Sequence, residues 1–316
     1  MRRAALLPII ISLVASTSAF PTSLHELASS LRRRASDARL KTDKGYVSPV
    51  DKGGKMLTSV PGTFPEGLGE PLNVVISGNS DAAVLVDSPQ NGGLRNYWLS
   101  LRFAGECLGQ HLGSDQAANL GDGNGALNET AVMRFDYDDP YLGTCQETVK
   151  GGNHFRYWVQ NGKDANTGAV FMAASAEKPA AEGHDILPNG YNLARDWLVG
   201  NATGGHDPIP TYNLTAGATF TGSTVFAGYT YRTTATYVDG LLKNSSDGVN
   251  HFQSVPVKGL PAIDGLVAVL EVHITNTPAG APAPSGGAQG GAESVSARWT
   301  WAVALVVGAI AAWTVC

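Results

Sequence analysis

Charged residues are scarce in this 316-residue chain: Asp, Glu, Lys and Arg together make up 16% of it, against about a quarter in an average protein. Cysteine is scarcer still, with three residues in the chain. Because three is an odd number, at least one thiol has no disulfide partner within the chain. Basic residues are in deficit over residues 46–285, which carry 13 Lys and Arg against 23 Asp and Glu, a formal charge of −10. Nucleic-acid binding needs a clustered positive surface, so this deficit excludes nucleic acid as a partner.

Apolar residues are plentiful enough to exclude general disorder, at 43% of the chain. Glycine and proline are abundant, with 38 and 17 residues. A body of about 240 residues can enclose a sizeable core. The combination is typical of a β protein with many loops.

The N-terminus has the pattern of a secretory signal peptide. Met1-Arg2-Arg3 precedes the apolar run Ala4–Ala15, and small residues lead up to Ala19. We expect cleavage after Ala19, in the region 1–19. Residues 20–55 are expected to form a partly disordered leader or pro-segment; a basic amphipathic helix on a membrane surface is the alternative.

The C-terminus has the pattern of a glycosylphosphatidylinositol (GPI) attachment signal. Small residues at Ser285 and the next two positions precede a spacer, and residues 299–316 carry no charge. We expect a lipid anchor at Ser285, a flexible stalk over 278–298, and a location on the outer face of the plasma membrane or in the cell wall. A single membrane-spanning helix is the alternative.

Short segments rich in β-branched residues and bounded by turn residues predict strands in the body, residues 56–277. They are Leu72–Ser77, Ala83–Asp87, Arg95–Phe103, Ala131–Tyr137, His154–Gln160, Ala169–Ser175, Ser223–Tyr237 and Leu266–Thr275. Helical spacing predicts a short helix in Tyr191–Val199 and a second in Phe103–Leu112. We therefore expect a mainly β fold, an antiparallel β-sandwich or jelly-roll-like ectodomain with one or two short helices.

The expected secretion of the protein leads to two further predictions. Cys107 and Cys145 are the only cysteines in the body, and an oxidising compartment favours a disulfide between them. Four N-glycosylation sequons are expected at the surface. They begin at Asn128, Asn201, Asn213 and Asn244.

No motif indicates a particular enzyme. The segment Gly78–Ala82 nearly matches a nucleophile elbow, but the β-branched residues and the proline that follow it favour a hairpin turn instead of the required helix. The histidines show no zinc-binding spacing, and we expect no cofactor. Asp115, Asp122 and Asn124 crowd one Gly-rich loop and are weak candidates for calcium ligands, although turn formation explains them better.

Carboxylates and histidines provide weak catalytic candidates. A disulfide between the two cysteines would bring Glu106 near Glu147, as in the acid/base pair of a glycoside hydrolase. His184 is followed by Asp185 in the chain, and His206 also precedes an aspartate. The enzyme hypothesis requires these groups to converge on one concave site lined by Trp98 or Trp158. The residues concerned are Glu106, His111, Asp139, Glu147, His154, His184, Asp185 and His206.

Residues 56–200 resemble a group of secreted fungal proteins of unknown function. The resemblance implies a secreted product, often attached to a membrane or wall, and it transfers no catalytic residue. The segments that carry it are LNVVISGNSDAAVLVDSP, NYWLSLRFAGECLGQH, ANLGDGNG, LGTCQET, GGNHFRYWVQNG and HDILPNGYNLARDWLVGN.

The sequence thus favours an extracellular cell-surface glycoprotein with a structural or binding role, and cell-wall glycan is a possible partner. The alternative is a surface-anchored carbohydrate-active hydrolase that uses carboxylates.

Overall fold

The computed structural model describes residues 39–111, 113–205 and 209–281. The expected signal peptide, the leader up to residue 38, the anchor residue Ser285, the hydrophobic tail and His206 lie outside these residues. No helix in the described part is both long enough and apolar enough to cross a membrane.

The folded body begins before the expected boundary at residue 56. The N–H of Leu40 donates to the carbonyl of Asn166, and Tyr46 is buried in the core. Gln160 exchanges hydrogen bonds with the backbone of Val47. The boundary was placed too late because isolated apolar residues in a polar stretch give no periodic signal.

The mainly β prediction is confirmed: one curled sheet of eight strands forms the centre of the molecule. Its strands are β1 Val74–Ile76, β2 Phe103–Gly105, β5 Ala131–Phe135, β6 Gly152–Gly162, β7 Ala165–Glu177, β8 Thr219–Phe226, β9 Tyr229–Val238 and β10 Val267–Asn276; β3 Ala117–Asn119 and β4 Ala126–Asn128 form a separate hairpin. The strand order in the sheet is β2-β5-β6-β7-β1-β10-β9-β8, and every neighbouring pair is antiparallel except β1 and β10. The described residues also form three α-helices, α1 Leu94–Ser100, α2 Gly143–Lys150 and α3 Gly190–Ala202.

Alternation along the strands buries both faces of the sheet in a sandwich-like arrangement. On β1, Val74 and Ile76 enter one core and Val75 enters the other, because successive side chains point to opposite faces. Helices α1 and α3 pack on the first face. The N-terminal segment, the β3–β4 hairpin and the loops from 242 to 263 pack on the second face.

Several local predictions were wrong. The stretch Arg95–Phe103 alternates like a strand, but it is mainly α1, whose buried Leu94, Tyr97 and Trp98 repeat at helical spacing. Residues 83–87 form turns instead of a strand, so no hairpin closes after residue 82. Within the predicted helix at residues 103–112, the described residues 103–111 instead form β2 and a single 3₁₀ turn.

The long strand predicted at 223–237 is instead a hairpin of β8 and β9. It folds back at Ala227-Gly228, where both residues have positive φ. The helix predicted at Tyr191–Val199 is confirmed as part of α3.

Candidate functional site

The predicted disulfide is present. Cys107 and Cys145 are bonded, with their Cα atoms 4.6 Å apart. Cys107 begins a 3₁₀ turn and Cys145 lies in α2. The bond therefore fixes α2, a helix that the sequence analysis did not predict, against the loop that carries Glu106.

Three polar residues lie side by side on the second face of the sheet. Strand register places Arg134 of β5 opposite His154 of β6, and His154 opposite Ser175 of β7. All three side chains are buried. Helix α2 contacts both β5 and β6, so it covers this row and adds Glu147 to it.

Arg134 and His154 are each held between carboxylates. The Nη1 atom of Arg134 donates to Oε2 of Glu147 at 2.8 Å, and its Nη2 atom lies 3.6 Å from Oε1 of Glu106. The Nδ1 atom of His154 lies 3.6 Å from Oε1 of Glu147, and its Nε2 atom lies 3.6 Å from Oε1 of Glu177. These separations of 3.6 Å exceed hydrogen-bond length, so the contacts are electrostatic.

The network continues to the surface on both sides. His184 contacts Glu177 through Nδ1 at 2.6 Å and the carbonyl of Thr148 through Nε2 at 2.9 Å. His111 contacts Glu106 at 2.8 Å. We call the central group the ionic cluster; it consists of Glu106, Arg134, Glu147, His154, Glu177 and His184.

Neighbouring groups of opposite charge shift the pKa values of His154 and Glu147 in the cluster. Burial alone would lower the pKa of His154, but the charges of Glu177 and Glu147 outweigh burial and raise it. Burial alone would raise the pKa of Glu147, but its contacts with His154 and Arg134 outweigh burial and lower it. The surroundings therefore favour the protonated form of His154 and the ionised form of Glu147.

One part of the cluster has the order of a serine–histidine–carboxylate triad. Oγ of Ser175 lies 3.2 Å from Nε2 of His154, whose other nitrogen faces Glu147. A triad also needs an accessible nucleophile, but Ser175 is fully buried and lies within β7, opposite His154 of β6. Five clefts of about 270 to 630 Å³ in the described part of the chain are lined by other residues. This geometry favours a structural ion network over acyl transfer.

The same residues include a possible metal-ligand set. Donor atoms of Glu147, His154 and Glu177 lie within 4.8 Å of one another. The two carboxylates, however, face different nitrogens of His154, and one ion binds only one of these nitrogens. Arg134 also occupies the second oxygen of Glu147. An imidazolium held between carboxylates fits this arrangement better than a metal ion.

Of the eight residues that the enzyme hypothesis requires to converge, the structure brings together Glu106, Glu147, His154 and His184, with His111 in contact with Glu106. Asp139 has another role, because its Oδ1 atom accepts the N–H groups of Tyr141 and Leu142 just before α2. Asp185 contacts Nδ1 of His251 at 2.5 Å. His184 and Asp185 are adjacent in sequence, but their side chains have different partners.

The calcium candidates are used as turn residues. The carboxylate of Asp122 is buried and accepts the backbone N–H groups of Asn124 and Gly162 as well as the Asn124 side chain. Asp115 is exposed and accepts from Asn128. The two carboxylates therefore have separate partners; a donor atom of Asp115 instead lies within 4.8 Å of donor atoms of His111 and Glu129.

Sequence reasoning missed Arg134, Ser175 and Glu177. A charged residue at an inward position of an apolar strand is a signal of a buried partner, and Arg134 follows Val132 with this spacing. The partner itself depends on which strands are neighbours, which the sequence alone did not indicate.

No protein-family model, no curated protein and no solved structure matches this chain.

Proposed function

We propose that this protein works outside the cell as a surface glycoprotein with a binding or structural role, held at the membrane or cell wall through a lipid anchor. The Cys107–Cys145 disulfide carries the proposal, because such bonds persist in oxidising compartments. The signal-like segment 1–19 and the hydrophobic segment 299–316 support it from the sequence.

The positions of the sequons also support the proposal. Asn128, Asn213 and Asn244 are exposed, and Asn201 is half-buried. The buried state of the ionic cluster favours a non-enzymatic role, since its charges pair with one another instead of facing a cleft.

Expression of the full chain in a eukaryotic host tests the proposal. We expect an oxidised, glycosylated protein that a GPI-specific phospholipase releases from the cell surface. A matched variant truncated after residue 298 should be secreted into the medium instead. A cytosolic, unglycosylated product with reduced cysteines would contradict the extracellular role, and surface protein that resists the phospholipase would contradict the anchor.

A surface hydrolase is the second candidate function, favoured by the convergence of Glu106 and Glu147 on Arg134. A screen of glycoside substrates with the wild-type protein and Glu147→Gln tests it. Hydrolysis by the wild type alone, with both proteins folded, would support the enzyme; equal rates would exclude Glu147 from catalysis.

A further inference from the structure

A mainly apolar cleft of about 370 Å³ opens beside α1 and the paired strands β2 and β5. Among the described residues that line it, Arg95 alone is charged, and its guanidinium is paired with Asp87 at 2.6 Å. The cleft is therefore not an ion site. Its apolar walls include Pro89, Leu99, Met133, Pro140, Tyr141 and Phe226.

Two large apolar side chains project from the rim of this cleft. Tyr141 lines it and is 84% exposed, and the next residue, Leu142, is 54% exposed. Contiguous apolar surface on the exterior of a protein is typical of an interaction site, because water covers it at a cost in free energy. We call the cleft, together with Tyr141 and Leu142, the apolar face.

The last described residues of the chain adjoin the cleft at two parts of its rim. Phe226 directly precedes the turn between β8 and β9, and a Cβ atom at Gly228 of that turn would lie 2.9 Å from Cβ of Pro278. In the loop of residues 89–92, a Cβ atom at position 92 would lie 2.9 Å from Cδ1 of Ile274. The chain therefore leaves the body next to the apolar face.

The proposed lipid anchor lies a short distance further along the chain. Ala281, the last described residue, is partly buried and packs against the core of the first face. Ser285 follows four positions later, and four residues span at most about 14 Å even when fully extended. A lipid attached at Ser285 therefore holds this end of the body, with the apolar face beside it, close to the bilayer.

The charge of the body specifies the kind of lipid surface. Residues 46–285 carry a formal charge of −10, so anionic lipids would repel them. Zwitterionic lipids exert no such repulsion. Tyrosine side chains are enriched at the boundary between lipid and water, where the ring is buried and the hydroxyl stays hydrated.

We infer that the apolar face rests on the zwitterionic lipid surface that holds the anchor, with the ring of Tyr141 among the lipid headgroups. The contact gives the body one orientation on the membrane instead of free rotation about the stalk. This inference goes beyond the proposed surface role and rests on its lipid anchor.

Hydroxyl-radical labelling of the full anchored protein tests the inference. The protein is placed in phosphatidylcholine vesicles and labelled before and after release by a GPI-specific phospholipase, and mass spectrometry measures each residue. Labelling of Tyr141 and Leu142 should be severalfold lower on the vesicles and should recover after release. Phe64 is the control, because it is 94% exposed and belongs to the N-terminal segment that covers the opposite face of the sheet; its labelling should not change.

A second measurement distinguishes lipid from a neighbouring copy of the protein. Brominated phosphatidylcholine quenches only those tryptophan side chains that contact the lipid. On brominated vesicles, Tyr141→Trp should lose fluorescence relative to the same variant on unbrominated vesicles. Phe64→Trp, the matched control at an exposed aromatic position, should show no loss.

Equal labelling of Tyr141 before and after release would overturn the inference while leaving the anchor intact. Protection of Tyr141 without quenching of Tyr141→Trp would assign the apolar face to a contact between anchored copies, and would also overturn it. Protein that the phospholipase does not release would contradict the proposed anchor, and with it the basis of this inference. The two failures are therefore distinguishable.

Discussion

His154 is the residue on which the charge balance of the ionic cluster depends, because each of its ring nitrogens faces a carboxylate. The histidine is fully buried and would be neutral in an apolar environment. The charges of Glu177 and Glu147 outweigh this effect and raise its pKa. Folding and protonation of this side chain are therefore coupled.

We expect the cluster to stabilise the fold most between about pH 4.5 and 6.5, the ordinary pKa values of Glu and His. The raised pKa of His154 gives a contribution that is complete below pH 6.5 and is lost as the pH rises through the folded-state pKa. The lowered pKa of Glu147 gives a contribution present above pH 4.5 and lost as the pH falls through the folded-state pKa. Thermal unfolding at constant ionic strength from pH 3 to 9 measures both limbs.

Variants assign the two limbs of this profile. His154→Gln should abolish most of the alkaline limb and Glu147→Gln most of the acidic limb, and each should also reduce the other limb, because the two groups shift each other's pKa. Glu182→Gln, at an exposed carboxylate, should change neither. An unchanged alkaline limb in His154→Gln would show that another group causes it.

At the scale of elements, α3 shows how a buried charge replaces an expected apolar contact. Helical spacing predicts Trp197 on the packed side, yet this side chain is 44% exposed. Arg195 is fully buried instead and contacts Asp196 at 2.7 Å and Asp264 at 2.6 Å. Its guanidinium also lies over the ring of Tyr237.

Arg195→Met should destabilise the protein by about 3–5 kcal/mol, because it leaves Asp196 buried without its charge partner. Trp197→Ala, on the exposed side of the same helix, should cost about 1 kcal/mol or less. Urea unfolding of both variants measures the difference. A larger loss in Trp197→Ala would mean that the aromatic side chain, and not the ion network, holds α3.

The disulfide is the second feature at this scale. The double variant Cys107→Ser and Cys145→Ser opens a loop with a sequence separation of 38 and should lower the free energy of unfolding by about 4 kcal/mol on the chain-entropy model. Reduced wild-type protein should match the double variant in urea unfolding. If neither loses stability, the contacts of α2 with the ionic cluster suffice to hold that helix.

At the scale of the whole molecule, the four sequons differ in accessibility. Asn213 and Asn244 are exposed in loop regions. Asn201 lies in the last turn of α3, and its Nδ2 atom donates to the carbonyl of Leu101 at 3.2 Å. A glycan attaches to this same nitrogen, so it would compete with the native contact.

We therefore expect lower glycan occupancy at Asn201 than at Asn213 or Asn244. Mass spectrometry of peptides from the secreted protein measures occupancy at each site. Thr215→Ala should abolish the glycan at Asn213 alone and serves as the control. Occupancy at Asn201 equal to that at Asn244 would contradict the prediction.

The sequence by itself determined those features of this protein that depend on local patterns or on its small number of cysteines. Alternation and turn residues were sufficient for the β class and for most strands, since both are local signals. Two cysteines in the body were sufficient for the disulfide once an oxidising compartment was expected. The residues of α1 fit both the two-residue period of a strand and the period of a helix. The local signal was therefore ambiguous there, and the prediction of a strand was wrong.

Only the tertiary structure decided which charges meet. The pairing of β5, β6 and β7 places Arg134, His154 and Ser175 in one row, and α2 brings Glu147 over them. One of the clefts is likewise lined by both Tyr46 and Thr236, which are about 190 positions apart. Such neighbours depend on strand order and on the packing of loops over the sheet, which are non-local properties that no sequence spacing encodes.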